Sequence, residues 1–383
     1  MKFFNIISIF FVAFVNTTLA TLKTSEIEVA LVSVFNESSV EASKMFGNYF
    51  MKGIQLSIDE NKATLEKARI KIKLNKMNYK DSAQDVIRVS NELIKSSSVA
   101  AIGFTYSSHA LIGGQILNNN VPFITPYATA NRISEIGNYI NQSCINNLEI
   151  ANLLIKLLKK QKKKKVHIVF VSDCSYCVDF KNNIISFLKK FGINYTTSDF
   201  LSRDLTEDKL KKVAKTILAQ KIDSIIVPNH EVDSGKIIGA FIKNSIKADF
   251  YGGDSWSDLG GRTLQLLLKK HSGRSYFVTH WHPDVSNIQS NRFVKIFKKR
   301  HAEEPPISSA VLAYNAMNLL IKSLTNCKIY SRASIAKCIR DNKYYYSALG
   351  KVRFESGRTL GAGVILEYSK KDSKFNLFKE SLP

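Results

Sequence analysis

Three groups of residues in this chain have the types and spacing to do chemistry. Cys174-Ser-Tyr-Cys177 has the two-residue spacing of a redox dithiol. His280-Trp281-His282 puts two imidazoles on one face of a strand, which could start a metal site. Two hydroxyl clusters, Tyr106-Ser107-Ser108 and Tyr127-Ala128-Thr129, suit hydrogen bonding to a polar ligand. One C-x-x-C after a strand recurs by chance, and this one lacks thioredoxin-like surroundings. No third ligand stands near the two histidines in sequence. The expectation is therefore no metal and no cofactor. The G-x-S-x-G, G-x-x-x-x-G-K-[ST], H-E-x-x-H and G-x-G-x-x-G motifs are all missing, which lowers the prior for hydrolase, nucleotide and dinucleotide chemistry.

The hydroxyl clusters gain weight from the elements that carry them. Residues 99–104 and 121–125 are apolar runs too short for helices, and they read as buried parallel strands. Between them Ser107 or Ser108 is placed to cap a helix from 109 to about 118, giving a βαβ unit. In open parallel sheets ligands bind beyond the carboxyl ends of the strands, so both clusters should face one crevice. A capped helix start with free N–H groups suits an anionic head group. The competing reading, that these hydroxyls only cap and turn, is outweighed by finding two such loops on one sheet edge.

Strand and helix alternate through the rest of the chain. A strand at 27–34, a helix at 45–65, an alternating edge strand at 70–77 and a helix at 82–95 lead into the βαβ unit, making one doubly wound domain. A second α/β run follows, with strands at 166–171, 193–200, 224–227, 249–251 and 275–279. The tail offers helices at 287–301, 310–324 and 333–340. A strand pair at 351–354 and 362–368 then follows, separated by a turn at Ser356-Gly357. That is too little core to stand alone, so the tail must complete the two earlier sheets.

Composition bounds the setting. Residues 1–20 carry Lys2, an apolar stretch and a Thr18-Leu19-Ala20 end, which read as an export signal cleaved after Ala20. The apolar stretch is shorter than the roughly 20 residues a membrane span needs. With 55 Lys and Arg against 32 Asp and Glu, the formal net charge is +23. The lysines are scattered rather than clustered with arginine or stacking aromatics, so nucleic-acid binding is not expected. Of five cysteines, Cys327 and Cys338 share one short segment and are the preferred disulfide. Cys144 could pair with either of the others or stay free.

In this order the motifs AAIGFTYSS, VPFITPYATA, VHIVFVSDCSY, FYGGDSW, SYFVTHWHPD, AVLAYNAMNLLIKSL and GKVRFESGRTLGAGVILEY resemble the ABC-transporter substrate-binding proteins of the leucine/isoleucine/valine-binding type. The resemblance covers essentially the whole mature chain. It implies an α/β fold of two Rossmann-like, doubly wound lobes joined by three crossovers, the type I periplasmic-binding clamshell. The crossovers are expected near 131–139, 283–286 and 342–348. Residues 21–132 plus 284–342 would form the first lobe, and 133–283 plus 343–383 the second. The resemblance also implies a carboxylate-holding serine at Ser107 or Ser108, with further ligand contacts at Tyr127 and Thr129. An aromatic lid falls at Tyr176, an ammonium-pairing carboxylate at Asp254, a first-loop aromatic at Phe46, and another cleft contact at Asn229-His230. The loop at 35–44 departs from the branched-chain binders.

The function expected is a periplasmic, non-enzymatic protein. It would be a monomer that captures a small-molecule ligand, an amino acid or analogue, and delivers it to an ABC permease in the inner membrane. A sensory module of the same fold and an enzyme are the other classes. No fused kinase or membrane segment supports the first, and no recognisable nucleophile, base and orienter supports the second.

Overall fold

The computed structural model describes residues 24–35, 41–80, 82–361 and 363–381. The export segment and the core of the 35–44 loop lie outside the described residues. Among the described residues no helix is long and apolar enough to cross a membrane.

The run IEVALV forms the heart of β1 (Ser25–Ser33), which is buried along most of its length as a central parallel strand must be. It lies between β2 (Ile70–Asn78) and β3 (Ala100–Gly103), both parallel to it. β4 (Phe123–Thr125) and β5 (Ile140–Gln142) continue the parallel sheet. The connecting helices are α1 (Glu41–Glu60), α2 (Lys62–Lys67), α3 (Ala83–Lys95) and α4 (Ser107–Leu117). As its alternating sequence predicts, β2 is the sheet edge.

The chain then enters a second sheet through α5 (Asn147–Lys160). Its parallel strands are β6 (Lys165–Val171), β7 (Asn194–Phe200), β8 (Ser224–Ile226), β9 (Asp249–Gly252) and β10 (Ser275–Thr279). Four helices alternate with them: α6 (Ser175–Lys190), α7 (Glu207–Ala219), α8 (Glu231–Lys243) and α9 (Asp258–Leu268).

From here α10 (Ile288–Arg300), α11 (Ser308–Asn326) and α12 (Arg332–Arg340) return to the first lobe. α11 is apolar on nearly every face and is accordingly buried along its length, packed against α1. At its end Cys327 is joined by a disulfide to Cys338 of α12, with Cα atoms 5.9 Å apart. The Arg332 guanidinium donates to the carbonyls of Leu93, Ile94, Ser96 and Ser98, closing the carboxyl end of α3. Finally β11 (Tyr344–Ser347), β12 (Gly350–Glu355) and β13 (Arg358–Leu360) join the first sheet, and β14 (Gly363–Ser369) and β15 (Lys374–Ser381) join the second. The sheet orders are β11-β12-β13-β5-β4-β3-β1-β2 and β15-β14-β10-β9-β8-β6-β7.

The fold is thus two α/β lobes linked by three passages of the chain, and two of the passages differ from their expected places. The first follows β5 instead of occupying 131–139, because β5 is only three residues long and two of them, Asn141 and Gln142, are polar. The third falls between β13 and β14 instead of at 342–348, where the alternation of Tyr344, Tyr345 and Tyr346 makes a strand. Residues 343–360, expected in the second lobe, pair into the first sheet. The turn at Ser356-Gly357 does not join 351–354 to 362–368. Both of its residues have positive φ, +50° and +77°, which closes a two-residue hairpin between β12 and β13. β15 has no counterpart in the sequence reading.

Candidate functional site

In the first lobe the site grows from the ends of β3 and β4. Thr125 ties the two loops at their base: its hydroxyl donates to Phe104 O (3.1 Å) and accepts from the Ala128 N–H (3.2 Å). Ser107 and Ser108, one of which is expected to cap α4, both lie inside the helix and do not cap it. The capping position falls to Tyr106, whose ring turns toward His109 and His230. The buried Ser107 hydroxyl instead accepts from the Ala130 N–H at 3.2 Å, joining the two loops, and its own hydrogen is still available to donate. Ser108 is exposed one residue further on, and Thr129 is buried. The Thr129 carbonyl accepts from the Asn147 N–H (2.8 Å) at the start of α5, so this loop holds the second lobe's first helix. Tyr127 donates its hydroxyl to Ser309 O (2.9 Å) and meets the Phe46 ring edge-on, with centroids 4.5 Å apart.

In the second lobe three strand ends converge. Beyond β6 the helix α6 opens on Cys174, which is disulfide-bonded to Cys177, and carries Tyr176 in its first turn. Beyond β8 come Asn229 and His230, and beyond β9 come Gly253 and Asp254. The Tyr176 hydroxyl donates to Asp254 Oδ1 at 3.0 Å. Gly253 makes this possible, because a Cβ there would lie 2.5 Å from the Tyr176 hydroxyl and from the Phe180 ring. The other carboxylate oxygen lies 3.5 Å from His280 Nε2. Burial, with Asp254 beside it, raises the Tyr176 pKa, so the phenol stays a donor. A carboxylate has about four acceptor positions, so these two neighbours leave Asp254 capacity for a third partner.

The lobes meet through rings. His230 stacks on Tyr176 (centroids 5.0 Å), and Tyr106 of the first lobe meets His230 edge-on at 5.5 Å. Burial lowers the His230 pKa despite the opposing charges of Glu231, Asp254 and Asp233, so the imidazole is held neutral. His280 is buried and borders a cavity of about 20 Å³ between the lobes, lined also by Ser143, Cys144, Tyr345 and Thr359. A polar link also joins the lobes: Asp179 Oδ2 accepts from Asn131 N–H (3.2 Å), Asn147 Nδ2 (2.8 Å) and Asn183 Nδ2 (3.3 Å).

The structure therefore joins Ser107 to the loop that carries Thr129, through Ala130, and groups Phe46 with Tyr127 and Tyr176 with Asp254. It does not leave Asn229 available. That side chain accepts from Val171 N–H and donates to Val169 O, bracing the end of β6. Tyr106 and His280 join the site beyond the residues assigned a ligand role. Tyr106 was legible from its place in the first hydroxyl cluster, whereas nothing in the sequence ties His280 to Asp254. The histidine pair at 280 and 282 is split, with His282 beside Asp284.

A family model described as "Periplasmic binding protein" matches residues 33–371. The chain belongs to the periplasmic binding protein family. Solved structures carry the same fold. The leucine-binding protein LivK of Thermotoga maritima superposes with a TM-score of 0.78 at 19% identity, over 93% of this chain and 99% of that one. An ABC transporter substrate-binding protein of Desulfitobacterium hafniense in complex with Leu gives 0.78 at 19%, over 92% and 100%. A solute-binding protein of R. palustris in complex with benzoate gives 0.75 at 16%, over 94% and 97%. Comparison with curated protein sequences gives no match. In this periplasmic binding protein two sheets form two lobes, and Asp254 follows directly on the end of β9.

Proposed function

We propose that this periplasmic binding protein is exported, captures one small ligand of amino-acid polarity between its lobes, and hands it to an ABC permease in the inner membrane. Its role is binding and not catalysis. The observation that carries the reading is Asp254, a carboxylate hydrogen-bonded by Tyr176 and 3.5 Å from His280 Nε2, at a strand end with acceptor positions to spare. An ammonium group takes those positions. A carboxylate on the same ligand takes the start of α4, with the hydroxyls of Ser107, Ser108 and Thr129. Phe46, Tyr127 and Tyr176 enclose the side chain.

A second reading, an aromatic acid, is favoured by the ring wall of Tyr106, Tyr176 and His230. The R. palustris relative in complex with benzoate has a ligand of that kind. A thermal-shift screen of the mature chain against the standard amino acids and a series of benzoates separates the two. A ligand at a hundred times its Kd stabilises the folded state by about 2.7 kcal/mol, a readily measured shift. Shifts with amino acids alone support the zwitterion, shifts with benzoates alone support the second reading, and no shift with either overturns both.

A further inference from the structure

Capture of an organic ligand makes no use of the two sulfurs at the start of α6. Cys174 is the N-cap of that helix and Cys177 its third residue, and the Cys177 N–H donates to Cys174 Sγ at 3.1 Å. β8 lies beside β6 in the sheet, so the loop after β8 brings His230 to the same point. One ring nitrogen of His230 and the two sulfurs lie within 4.8 Å of one another. Among the described residues no other three His, Cys, Asp or Glu side chains are gathered so closely.

We propose that in its dithiol form this cluster is a binding site for one zinc ion, with Cys174 and Cys177 as thiolate ligands, His230 as the third, and the fourth position open toward the cleft. Two sulfurs and one imidazole form a set suited to a borderline-soft, tetrahedral ion and unsuited to magnesium or calcium. Ligands about 2.3 Å from a tetrahedral ion place two sulfurs roughly 3.8 Å apart. The Cα atoms of Cys174 and Cys177 are 5.2 Å apart, which allows that separation by side-chain rotation alone. The N–H groups of the first turn of α6 favour thiolate over thiol.

In the disulfide form the sulfurs are bonded to each other and offer no thiolate. A dithiol reductant delivers two electrons and two protons, the S–S bond breaks to two thiols, and the reductant becomes a disulfide. Zinc then binds the two sulfurs as thiolates and releases two protons. The cluster thereby couples redox state to the cleft, since a bound ion fixes the first turn of α6, which carries Tyr176, and the ring that stacks on it.

The test is titration of the full mature chain with Co²⁺ and then Zn²⁺, without oxygen, after reduction with a phosphine. The expected result is a thiolate-to-cobalt charge-transfer band that saturates at one equivalent, with tetrahedral d–d bands, and is displaced by one equivalent of Zn²⁺. The oxidised chain gives no band. Cys174→Ser and Cys177→Ser each lose it, His230→Gln weakens binding at least tenfold, and the double variant Cys327→Ser/Cys338→Ser keeps it. Absence of the band in the reduced chain, its persistence in Cys174→Ser/Cys177→Ser, or unchanged affinity in His230→Gln overturns the proposal. A reduced chain that no longer melts cooperatively with or without Zn²⁺ also overturns it, since the site would then exist in no folded form.

Discussion

The Tyr176 hydroxyl donates to Asp254 Oδ1 at 3.0 Å, joining the first turn of α6 to the loop after β9. Because the phenol is held protonated, it steadies the carboxylate without neutralising it. Acceptor positions on Asp254 thus stay available to a cationic group entering the cleft.

Asp254→Ala should therefore weaken binding of a zwitterionic ligand at least tenfold while leaving the melting temperature near that of the parent. Removing one partner of a buried, hydrogen-bonded charge pair costs about 2–5 kcal/mol. Tyr176→Phe should cost less, about 1 kcal/mol, since it removes one hydrogen bond and no charge. Ser108→Ala should also cost little, because backbone N–H groups still hold the ligand carboxylate. Calorimetry with the ligand found by screening measures all three. Unchanged affinity in a normally melting Asp254→Ala would make Asp254 a structural residue only.

Three buried histidines predict loss of stability in acid. Burial pushes His109, His167 and His271 down to about 4. Each is neutral in the folded chain while the unfolded chain titrates near 6.5, so the unfolded state takes up protons first. Stability should be full above about pH 6.5 and fall as pH drops toward 4, approaching ~3 kcal/mol per histidine below that. His167, held by the Thr196 and Ser198 hydroxyls, is the cleanest to remove. Urea unfolding of His167→Gln between pH 7 and 4 should show a shallower decline than the parent, and an identical slope would contradict the assignment.

Asp179 should act in the opposite direction. Burial raises its pKa even though Asn147 and Asn131 donate to it. A carboxyl raised in the folded state costs stability when charged, and the cost is relieved as pH falls through its folded pKa. All three donors point at Oδ2, so Asp179→Asn can keep them with its single carbonyl oxygen. That variant should be at least as stable as the parent at pH 7. Asp179→Ala leaves the Asn131 N–H unpaired and leaves Asn147 Nδ2 only the Tyr176 carbonyl at 3.5 Å, while Asn183 Nδ2 keeps the main-chain carbonyl of residue 179, so it should lose about 1–3 kcal/mol. Parallel urea titrations at pH 7 check both.

Much of this fold could be read from the sequence, because long apolar or alternating runs leave little choice. β1, β6 and α11 declare themselves by burial pattern, and β2 declares its edge position by alternation. The elements missed were short or polar. β5 has three residues with two amides, β13 has three with an arginine at its start, and β15, KFNLFKES, breaks its alternation at Leu377-Phe378. The two loops of the first lobe were legible because hydroxyls follow apolar strands. The roles within them were not. Whether Ser107 caps its own helix or accepts from Ala130 is decided by a residue 23 positions away, which no local pattern encodes. His280 was invisible for the same reason, because its relation to Asp254 exists only once β9 and β10 lie side by side.

The Tyr106–His230 contact joins the two walls of the cleft, with ring centroids 5.5 Å apart at an 83° interplanar angle. An edge-to-face ring pair is worth about 0.5–1.5 kcal/mol beyond its burial, enough to bias a two-state opening by a factor of roughly 2 to 12. A ligand bound by both lobes adds its own preference for the closed state, since differential affinity is what shifts the equilibrium. Small-angle scattering should therefore give a smaller radius of gyration with saturating ligand than without. Tyr106→Ala should enlarge the unliganded value and weaken binding about two- to tenfold with little effect on melting. Identical scattering profiles with and without ligand, together with parent affinity in Tyr106→Ala, would mean that the lobes are fixed and that the ring contact plays no part in closure.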